Sequence, residues 1–146
     1  MKTVADIMTT DCVTVSPGDP IFECAVKMRD NDIGFLPVVD GRRLLGVVTD
    51  RDLVVRGYAE KHPGSEEVRN VMTHKAVTIE SSASVEEAAR KMAASQIRRL
   101  PVVENGELVG VVSLGDLAVR ERSGDEAEQA LEGISEHEHR EPFYAR

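Results

Sequence analysis

Two parts of the chain carry the same order of apolar and polar positions. Alternating stretches come first, at 12–15 and 76–79, and this alternation predicts two short β-strands. Apolar residues then recur at helical spacing over 21–28 and 85–92, which predicts one helix in each part. The two parts therefore begin in the same way, with a strand and then a helix.

Local signals mark the starts of these two helices. Ser84 and Glu87 have the spacing of a capping box, in which two side chains satisfy amides that the first helical turn leaves unpaired. Asp19-Pro20 does similar work in the first part, because proline suits the first turn of a helix. We expect the first of these helices to begin within a residue or two of Pro20.

Each predicted helix is followed by a strand, a turn and a second strand. In the first part the apolar runs 36–39 and 44–48 flank a polar turn, and the second part repeats this arrangement. Because these runs are apolar on both faces, we expect strands that are covered by helices. A further helix is predicted to begin at Thr49 in one part and at Ser113 in the other.

The likeness of the two parts extends to individual residues at a constant offset. Val4 and Val68 are 64 positions apart, and the same offset carries Leu-Pro-Val-Val at 36–39 onto the same four residues at 100–103. No gap is needed between them. We interpret this as a duplication, and two domain-sized copies do not form a solenoid.

The order of elements predicts an α/β (α+β) fold of two β-α-β-β-α repeats packed with pseudo-twofold symmetry. Neither repeat is large enough to be comfortably stable alone, so pairing is expected to bury the remaining apolar faces. The predicted boundaries are 1–60 for the first repeat, 61–67 for a linker and 68–122 for the second repeat. Residues 123–146 are predicted to be an acidic tail, with a short helix and then mobile chain.

Composition narrows the class of protein. Hydrophobic residues make up 41% of the chain and charged residues 30%, as in ordinary globular proteins, while aromatic residues are only 3%. The net charge is -8 and no basic run is present, so we expect no nucleic acid partner. No apolar stretch approaches the roughly 18 residues of a membrane span, and the first residues lack a signal-peptide core. A cytoplasmic protein without membrane contact is expected.

Cys12 and Cys24 have neither a CxxC spacing nor the spacing of a zinc site. We expect both to be reduced and mostly buried, as in a cytoplasmic protein. A disulfide between them remains an alternative.

Two matching pairs of residues carry candidate chemistry: Thr49 with Asp52 (the first site) and Ser113 with Asp116 (the second site). A carboxylate one turn into a helix can accept hydrogen bonds from both vicinal hydroxyls of a ribose. The hydroxyl residue three positions earlier can cap the helix, and the helix start favours a nearby phosphate. The alternative is an ordinary capped helix that binds no ligand.

The residues of both copies resemble the signature of CBS domains. In the first copy these are 36–39 (Leu-Pro-Val-Val) and 46–53 (Gly-Val-Val-Thr-Asp-Arg-Asp-Leu); in the second they are 99–103 and 110–117. The resemblance covers Val4 to about Val119. It implies a disc-like pair of domains, called a Bateman module, similar to small stand-alone bacterial CBS-pair proteins of the stress or hypoxic-response type.

The resemblance also implies ligands and site residues. Two clefts would bind adenosine-containing molecules, with AMP, ADP or ATP expected first and NAD(H) or S-adenosylmethionine as further possibilities. Thr49 and Asp52, and Ser113 and Asp116, would hold the ribose. Residues of the opposite repeat would cover the adenine: Ala76, Val77 and Ile97 at the first site, and Cys12, Val13 and Ile33 at the second.

Three arginines are candidates for contacting phosphate: Arg98 and Arg99, which precede a Leu-Pro pair, and Arg51, which lies inside the first site's motif. The alternative is that they are solvated surface arginines. The first repeat has Gly34-Phe35 where the second has Arg98-Arg99, so the two clefts are predicted to be unequal. We favour the first site for ligand, with an empty or adenosine-only second site as an open alternative.

The sequence shows no activated nucleophile, no acid–base carboxylate pair and no metal triad, so we expect no enzyme activity. His137 and His139 lie in the tail, and we expect no metal site there. The predicted function is a nucleotide-sensing homodimer that acts in trans on an unknown effector protein. The alternatives are a ligand-free module for dimerisation or protein interaction and, last, an enzyme acting on nucleotides.

Overall fold

The computed structural model describes residues 2–120, without the side chain of Arg120. The predicted tail at 123–146, with its short helix and both its histidines, lies outside the described residues. The elements of the first half are α1 (Val4–Ile7), α2 (Ile21–Asn31), β1 (Phe35–Asp40), β2 (Arg43–Thr49) and α3 (Asp50–Asp52), which continues as a π-helix (Leu53–Tyr58). Those of the second half are a 3₁₀ turn (Val68–Asn70), β3 (Ile79–Glu80), α4 (Val85–Ser95), β4 (Arg99–Glu104), β5 (Glu107–Ser113) and α5 (Leu114–Arg120).

Helices α2 and α4 begin where the local signals predict. The hydroxyl of Ser84 accepts a hydrogen bond of 3.1 Å from the amide of Glu87, and α2 follows directly after Pro20. Both helices end at a residue in the left-handed conformation, Asp32 with φ 53° and Gln96 with φ 55°. Such a residue turns the chain back toward the sheet after each helix.

The five strands form one sheet in the order β1-β2-β5-β4-β3, which confirms the mixed α/β prediction. Each repeat contributes an antiparallel hairpin, and the two hairpins meet only near their turns, where Arg43 pairs with Glu107. The amide of Leu44 donates to the carbonyl of Gly106 at 3.0 Å, and the amide of Leu108 donates to that of Arg42 at 2.8 Å. These bonds join the two halves of the sheet end to end.

The first predicted strand of each repeat is much shorter than expected, so the predicted extents 12–15 and 76–79 are wrong. In the first repeat only Val15 reaches the sheet, through a single parallel bridge to Val38. In the second repeat the strand is β3, two residues long and parallel to β4. The residues before each strand run along the opposite repeat, so the chain reaches the sheet of its own repeat only at the end of the predicted strand.

The residues at 4–9 and 68–73, which we call the leading segments, exchange places between the repeats. Thr9 pairs with Val111 of β5, and Thr73 pairs with Val47 of β2. Val4 is at the start of the first leading segment, and its amide donates a hydrogen bond of 2.8 Å to the carbonyl of Ala83 in the second repeat. Each leading segment therefore runs along the hairpin of the other repeat.

The exchange also builds the two hydrophobic cores. Val4 and Ile7 are buried among residues of α4, β4 and β5, whereas Val68, Val71 and Met72 are buried among residues of α2, β1 and β2. Burying a large apolar side chain contributes about 1.5 kcal/mol or more. Each core is thus incomplete without residues of the other repeat.

Candidate functional site

The first site is built on a capping box at the end of β2. Thr49 has extended backbone angles, and its hydroxyl accepts a hydrogen bond from the amide of Asp52 at 3.1 Å. In return the amide of Thr49 donates to Oδ2 of Asp52, also at 3.1 Å. The change from extended strand to helix within one residue therefore fixes the Asp52 side chain at the first turn.

Asp52 is 8% exposed, which is unusual for a carboxylate, and it lies against the opposite repeat. The hydroxyl of Thr73 donates to its two oxygens, at 3.2 Å to Oδ2 and 3.4 Å to Oδ1. The Nε of Arg56 lies 3.8 Å from Oδ1. A carboxylate offers about four acceptor positions, and the Thr49 amide and the Thr73 hydroxyl occupy about two of them, while Arg56 at 3.8 Å is an ion-pair contact.

Thr73 and Arg56 are site residues that were not among those predicted from the sequence. The only available signal for Thr73 was its match to Thr9 at the repeat offset, just after an apolar leading segment. Arg56 matches Arg120 in the same way. The match to Thr9 does not show that Thr73 lies beside a carboxylate, because that contact spans the two repeats. Arg56 could have been found from its spacing of four residues from Asp52, which places both on one side of a helix.

A π-helix follows the first site directly. Residues Leu53–Tyr58 adopt this conformation, whereas at the matching positions of the second repeat the described residues 117–120 are part of the α-helix Leu114–Arg120. Within the π-helix, Nη1 of Arg56 donates to the carbonyl of Met72 at 2.9 Å. Single turns of π-helix are frequent at functional sites, and this one positions an arginine between Asp52 and the second leading segment.

The second site has the same capping box. The amide of Asp116 donates to the hydroxyl of Ser113 at 3.0 Å, and the amide of Ser113 donates to Oδ2 of Asp116 at 2.9 Å. Here the carboxylate is half-buried rather than buried. Thr9, which matches Thr73, is exposed and pairs with Val111 two residues before Ser113. The two sites thus share their scaffold and differ in how deeply the carboxylate is enclosed.

Of the three arginines, Arg99 is the most involved in the sites. It lies on β4 directly opposite Ser113. Burial lowers the pKa of Arg99, and Arg98 lowers it further, while Asp116 and Asp50 raise it. Because Asp50 follows the first site's Thr49 and Asp116 belongs to the second site, this guanidinium lies within electrostatic reach of both.

Arg98 and Arg51 are exposed. The carbonyl of Arg98 accepts a hydrogen bond of 2.8 Å from the amide of Leu114 at the start of α5. The amide of Arg51 donates to Oδ1 of Asp50 at 2.8 Å. In the first repeat Gly34 takes the place of Arg98, and a Cβ at Gly34 would lie 2.7 Å from Oδ2 of Asp50. The repeats therefore differ in space as well as in charge here.

The predicted adenine-covering residues fall into two groups. The first follows the leading segments: Cys12, Val13, Ala76 and Val77. Cys12 donates its thiol to the carbonyl of Thr9 at 3.3 Å, which holds it near the end of β5. Burial raises the pKa of the Cys12 thiol, and Val77 is 37% exposed. The second group, Ile33 and Ile97, is half-buried and packs against the core on the side of its own hairpin.

Neither a candidate metal cluster nor a candidate membrane span occurs among the described residues. Within residues 2–120, no three His, Cys, Asp or Glu side chains gather closely enough to hold a metal ion. None of the helices described over that range has the length and apolar character needed to cross a bilayer. Cys12 and Cys24 are both free thiols.

The family is decided by comparison with known proteins. The sequence profile of the CBS domain matches residues 4–57 and matches again at residues 68–121. The chain belongs to the CBS domain family. Both repeats of this CBS pair are covered, so the resemblance drawn from the sequence motifs is confirmed.

Two relatives show how far the likeness to other CBS-pair proteins extends. The uncharacterized protein YlbB of Bacillus subtilis is 46% identical over 143 residues, which cover 97% of this chain and 97% of the relative. Hypoxic response protein 1 of Mycobacterium tuberculosis is 34% identical over 120 residues, covering 81% of this chain and 84% of the relative. The expected similarity to small proteins of the hypoxic-response type is therefore confirmed.

Solved structures show the same CBS-pair fold. Hypoxic Response Protein I with two coordinated zinc ions has a TM-score of 0.75 at 32% identity, covering 81% of this chain and 98% of that one. CBSX2 in complex with AMP has a TM-score of 0.74 at 29% identity, covering 83% and 96%. The CBS domain pair of MJ0100 in complex with 5′-methylthioadenosine and S-adenosyl-L-methionine has a TM-score of 0.72 at 26% identity, covering 83% and 96%.

Proposed function

We propose that this CBS pair is a regulatory module that binds an adenosine-containing ligand at sites made by both repeats. AMP, ADP and ATP are the first candidates, and NAD(H) and S-adenosylmethionine are further ones. Two structural neighbours support this class of ligand, because CBSX2 was solved with AMP and MJ0100 with 5′-methylthioadenosine and S-adenosyl-L-methionine. The output would pass through a homodimer to an unknown effector protein in the cytoplasm.

The observation that carries the proposal is the position of the two helix-start carboxylates. Asp52 and Asp116 each extend from the first turn of a helix whose preceding residue is a capping Thr or Ser. Each also lies where the leading segment of the other repeat meets the end of a strand. A ribose diol bound there would contact both repeats, so its binding free energy would depend on how the repeats are packed.

Each predicted site residue has a role in the proposal. Thr49 with Asp52 and Ser113 with Asp116 would hold the ribose, and the residues that cover the adenine would come from the opposite repeat: Ala76, Val77 and Ile97, and Cys12, Val13 and Ile33. Arg99 would face the phosphate, because it is within electrostatic reach of both sites. Arg98 and Arg51 would add positive charge at the rim, and the first site remains the favoured one.

A ligand at the first site would meet Thr73 as well as Asp52. The Thr73 hydroxyl donates to the Asp52 carboxylate, so a ribose diol would either displace this hydroxyl or share the oxygens with it. In either arrangement the ligand would contact Thr73 and so act directly on the second leading segment. A change at Thr73 would be transmitted to the strand pairing of Val47, which is the form of coupling that a sensor needs.

Calorimetric titration tests the proposal. AMP, ADP, ATP, NADH and S-adenosylmethionine are titrated into the wild-type chain and into Asp52→Asn and Asp116→Asn, with Asp40→Asn as the control at an exposed carboxylate. Loss of a charge-assisted hydrogen bond costs roughly 1.5–3 kcal/mol, so affinity at the altered site should fall about tenfold or more. No binding of any of the five at millimolar concentration would overturn the proposal.

A second candidate function has one observation in its favour. The Asp52 carboxylate is satisfied by the protein itself, through the amide of Thr49 and the hydroxyl of Thr73. A ligand-free CBS pair that only dimerises or docks on another protein would need no more than this. In that case all five titrations would show no heat of binding, while the oligomeric state measured by sedimentation would exceed one chain.

A further inference from the structure

The backbone that follows each leading segment has little support from the sheet. We call residues 12–14 and 76–78 the wall segments, because they contain four of the predicted adenine-covering positions. The first wall segment reaches the sheet only at the next residue, Val15, whose amide donates to Pro37 at 3.0 Å. The second reaches it only at Ile79, where β3 begins. The carbonyls just before these points lie outside the strand ladders and need other donors.

A lysine supplies that donor in each repeat. Nζ of Lys27 on α2 donates to the carbonyl of Thr14 at 2.8 Å, and Nζ of Lys91 on α4 donates to the carbonyl of Thr78, also at 2.8 Å. The two contacts are related by the offset of 64 residues, and both are partly buried. A bond from an ammonium group is charge-assisted, which makes it stronger than a bond between neutral groups.

We propose that Lys27 and Lys91 are positioning residues that fix the backbone of the wall segments. Lys91, in the second repeat, acts on the first site, and Lys27, in the first repeat, acts on the second site. This inference rests on the proposed function, since it concerns the nucleoside-facing side of the same sites. The lysine itself does not contact ligand. It acts through a carbonyl, by fixing the direction in which the wall segment leaves the sheet.

The crossed assignment follows from the exchange of the leading segments. Thr73 contacts Asp52 of the first site, and the chain continues from Thr73 into the wall segment 76–78 that Lys91 holds. Lys91, although it lies in the second repeat, therefore governs the first site. By the same path Thr9 pairs with Val111 near the second site and leads to the segment that Lys27 holds.

Lys91→Met removes the donor while it keeps an unbranched apolar side chain, and Lys91→Arg restores a cationic donor. Arg90→Met is the matched control, because Arg90 is the exposed neighbour on the same helix. Without ligand, Lys91→Met should speed amide hydrogen exchange at 79–80, where β3 begins, about tenfold, whereas the control should not change it. Lys27→Met should do the same at Val15, whose amide donates to Pro37.

AMP binding then tests the role at the sites. Lys91→Met is measured in the Asp116→Asn background, which leaves the first site, and in the Asp52→Asn background, which leaves the second. We expect AMP affinity to fall about tenfold in the first background, to stay unchanged in the second, and to recover with Lys91→Arg. A residue needed only for general stability would weaken both backgrounds equally.

Three outcomes would overturn the inference. Faster amide exchange at 79–80 with unchanged AMP affinity would make the lysine a tether without a role at the site. If Lys91→Met lowers AMP affinity in the Asp52→Asn background and leaves it unchanged in the Asp116→Asn background, the crossed assignment is contradicted. If the wild-type chain binds none of the nucleotides, the proposed function fails and the positioning role with it, and the exchange measurement still decides whether the tether exists.

Discussion

Replacing Gly46 by alanine tests whether the exchanged leading segments hold the two repeats together. Gly46 is in β2, and a Cβ built on it would overlap the carbonyl oxygen of Thr73 and lie 3.3 Å from Cα of His74. Both obstacles are backbone atoms, which cannot move aside as a flexible side chain can. The alanine variant must therefore push the second leading segment away from the strand.

The cost can be worked out from the bonds that the shift breaks. Val47 and Thr73 exchange two backbone hydrogen bonds, of 3.0 Å and 2.8 Å. Each contributes a net 0.5–1.5 kcal/mol or so, and overpacking adds roughly 1–3 kcal/mol. We expect Gly46→Ala to lower the free energy of unfolding by about 3 kcal/mol. Urea unfolding followed by far-ultraviolet circular dichroism is the suitable assay, because the chain has no Trp and only two Tyr.

Two other glycines provide matched controls. Gly110 occupies the same position in the second repeat, but a Cβ there would meet the flexible Met8 Sδ at 2.7 Å and the carbonyl of Thr9 at 2.9 Å. We expect a smaller cost, about 1–2 kcal/mol. Gly41 has open space around it and φ +65°, so its alanine variant should lose only about 1 kcal/mol. If Gly46→Ala is no less stable than Gly41→Ala, the reasoning about close approach is refuted.

Two further predictions concern the half-buried Thr73 and the buried Cys24. Thr73→Val keeps the shape of the side chain but removes the hydroxyl that donates to Asp52, so stability should fall by about 1 kcal/mol in the same urea assay; Thr9→Val, at an exposed position, should change it by less than about 0.5 kcal/mol. Burial raises the pKa of the Cys24 thiol from 9.0 to about 11, so above pH 9 the unfolded thiol ionises while the folded one stays neutral. The contribution of the Cys24 thiol to the free energy of unfolding is therefore fully present below pH 9. It falls by roughly 2 kcal/mol as the pH rises to 11. Cys24→Ala places the residue found at the matching Ala88 and should remove this loss, and a stability difference from wild type that stays constant over that range would contradict the prediction.

The features that can be predicted from the sequence are those that depend on residues close together along the chain. Helices α2 and α4, the two hairpins and the capping boxes at Asp52 and Asp116 each depend on spacings of a few positions, which the chain displays directly. Because the two repeats match at an offset of 64 residues, each element is predicted twice, and the prediction for one repeat can be checked against the other. The fold class and the scaffold of both sites therefore follow from local patterns.

The exchange of leading segments could not be predicted in this way. A short segment of the same length and polarity could pack equally well against its own hairpin or against the other one, since a backbone hydrogen bond forms in the same way with either repeat. Gly46 and Gly110 were the available signal, because a glycine inside a strand often marks the close approach of another backbone. The Thr73 contact to Asp52 was missed for the same reason, whereas the Arg56 contact is local and was signalled by its spacing of four residues from Asp52.

The exchange also has a consequence for the ancestry of the chain. A half-length ancestor could not have closed a core by itself, since the residues that fill it arrive from elsewhere. Two identical polypeptides that exchanged their leading segments would have been the smallest folded species, as in domain-swapped dimers. Fusing the two genes would have changed a concentration-dependent partnership into a permanent one, after which each copy was free to diverge.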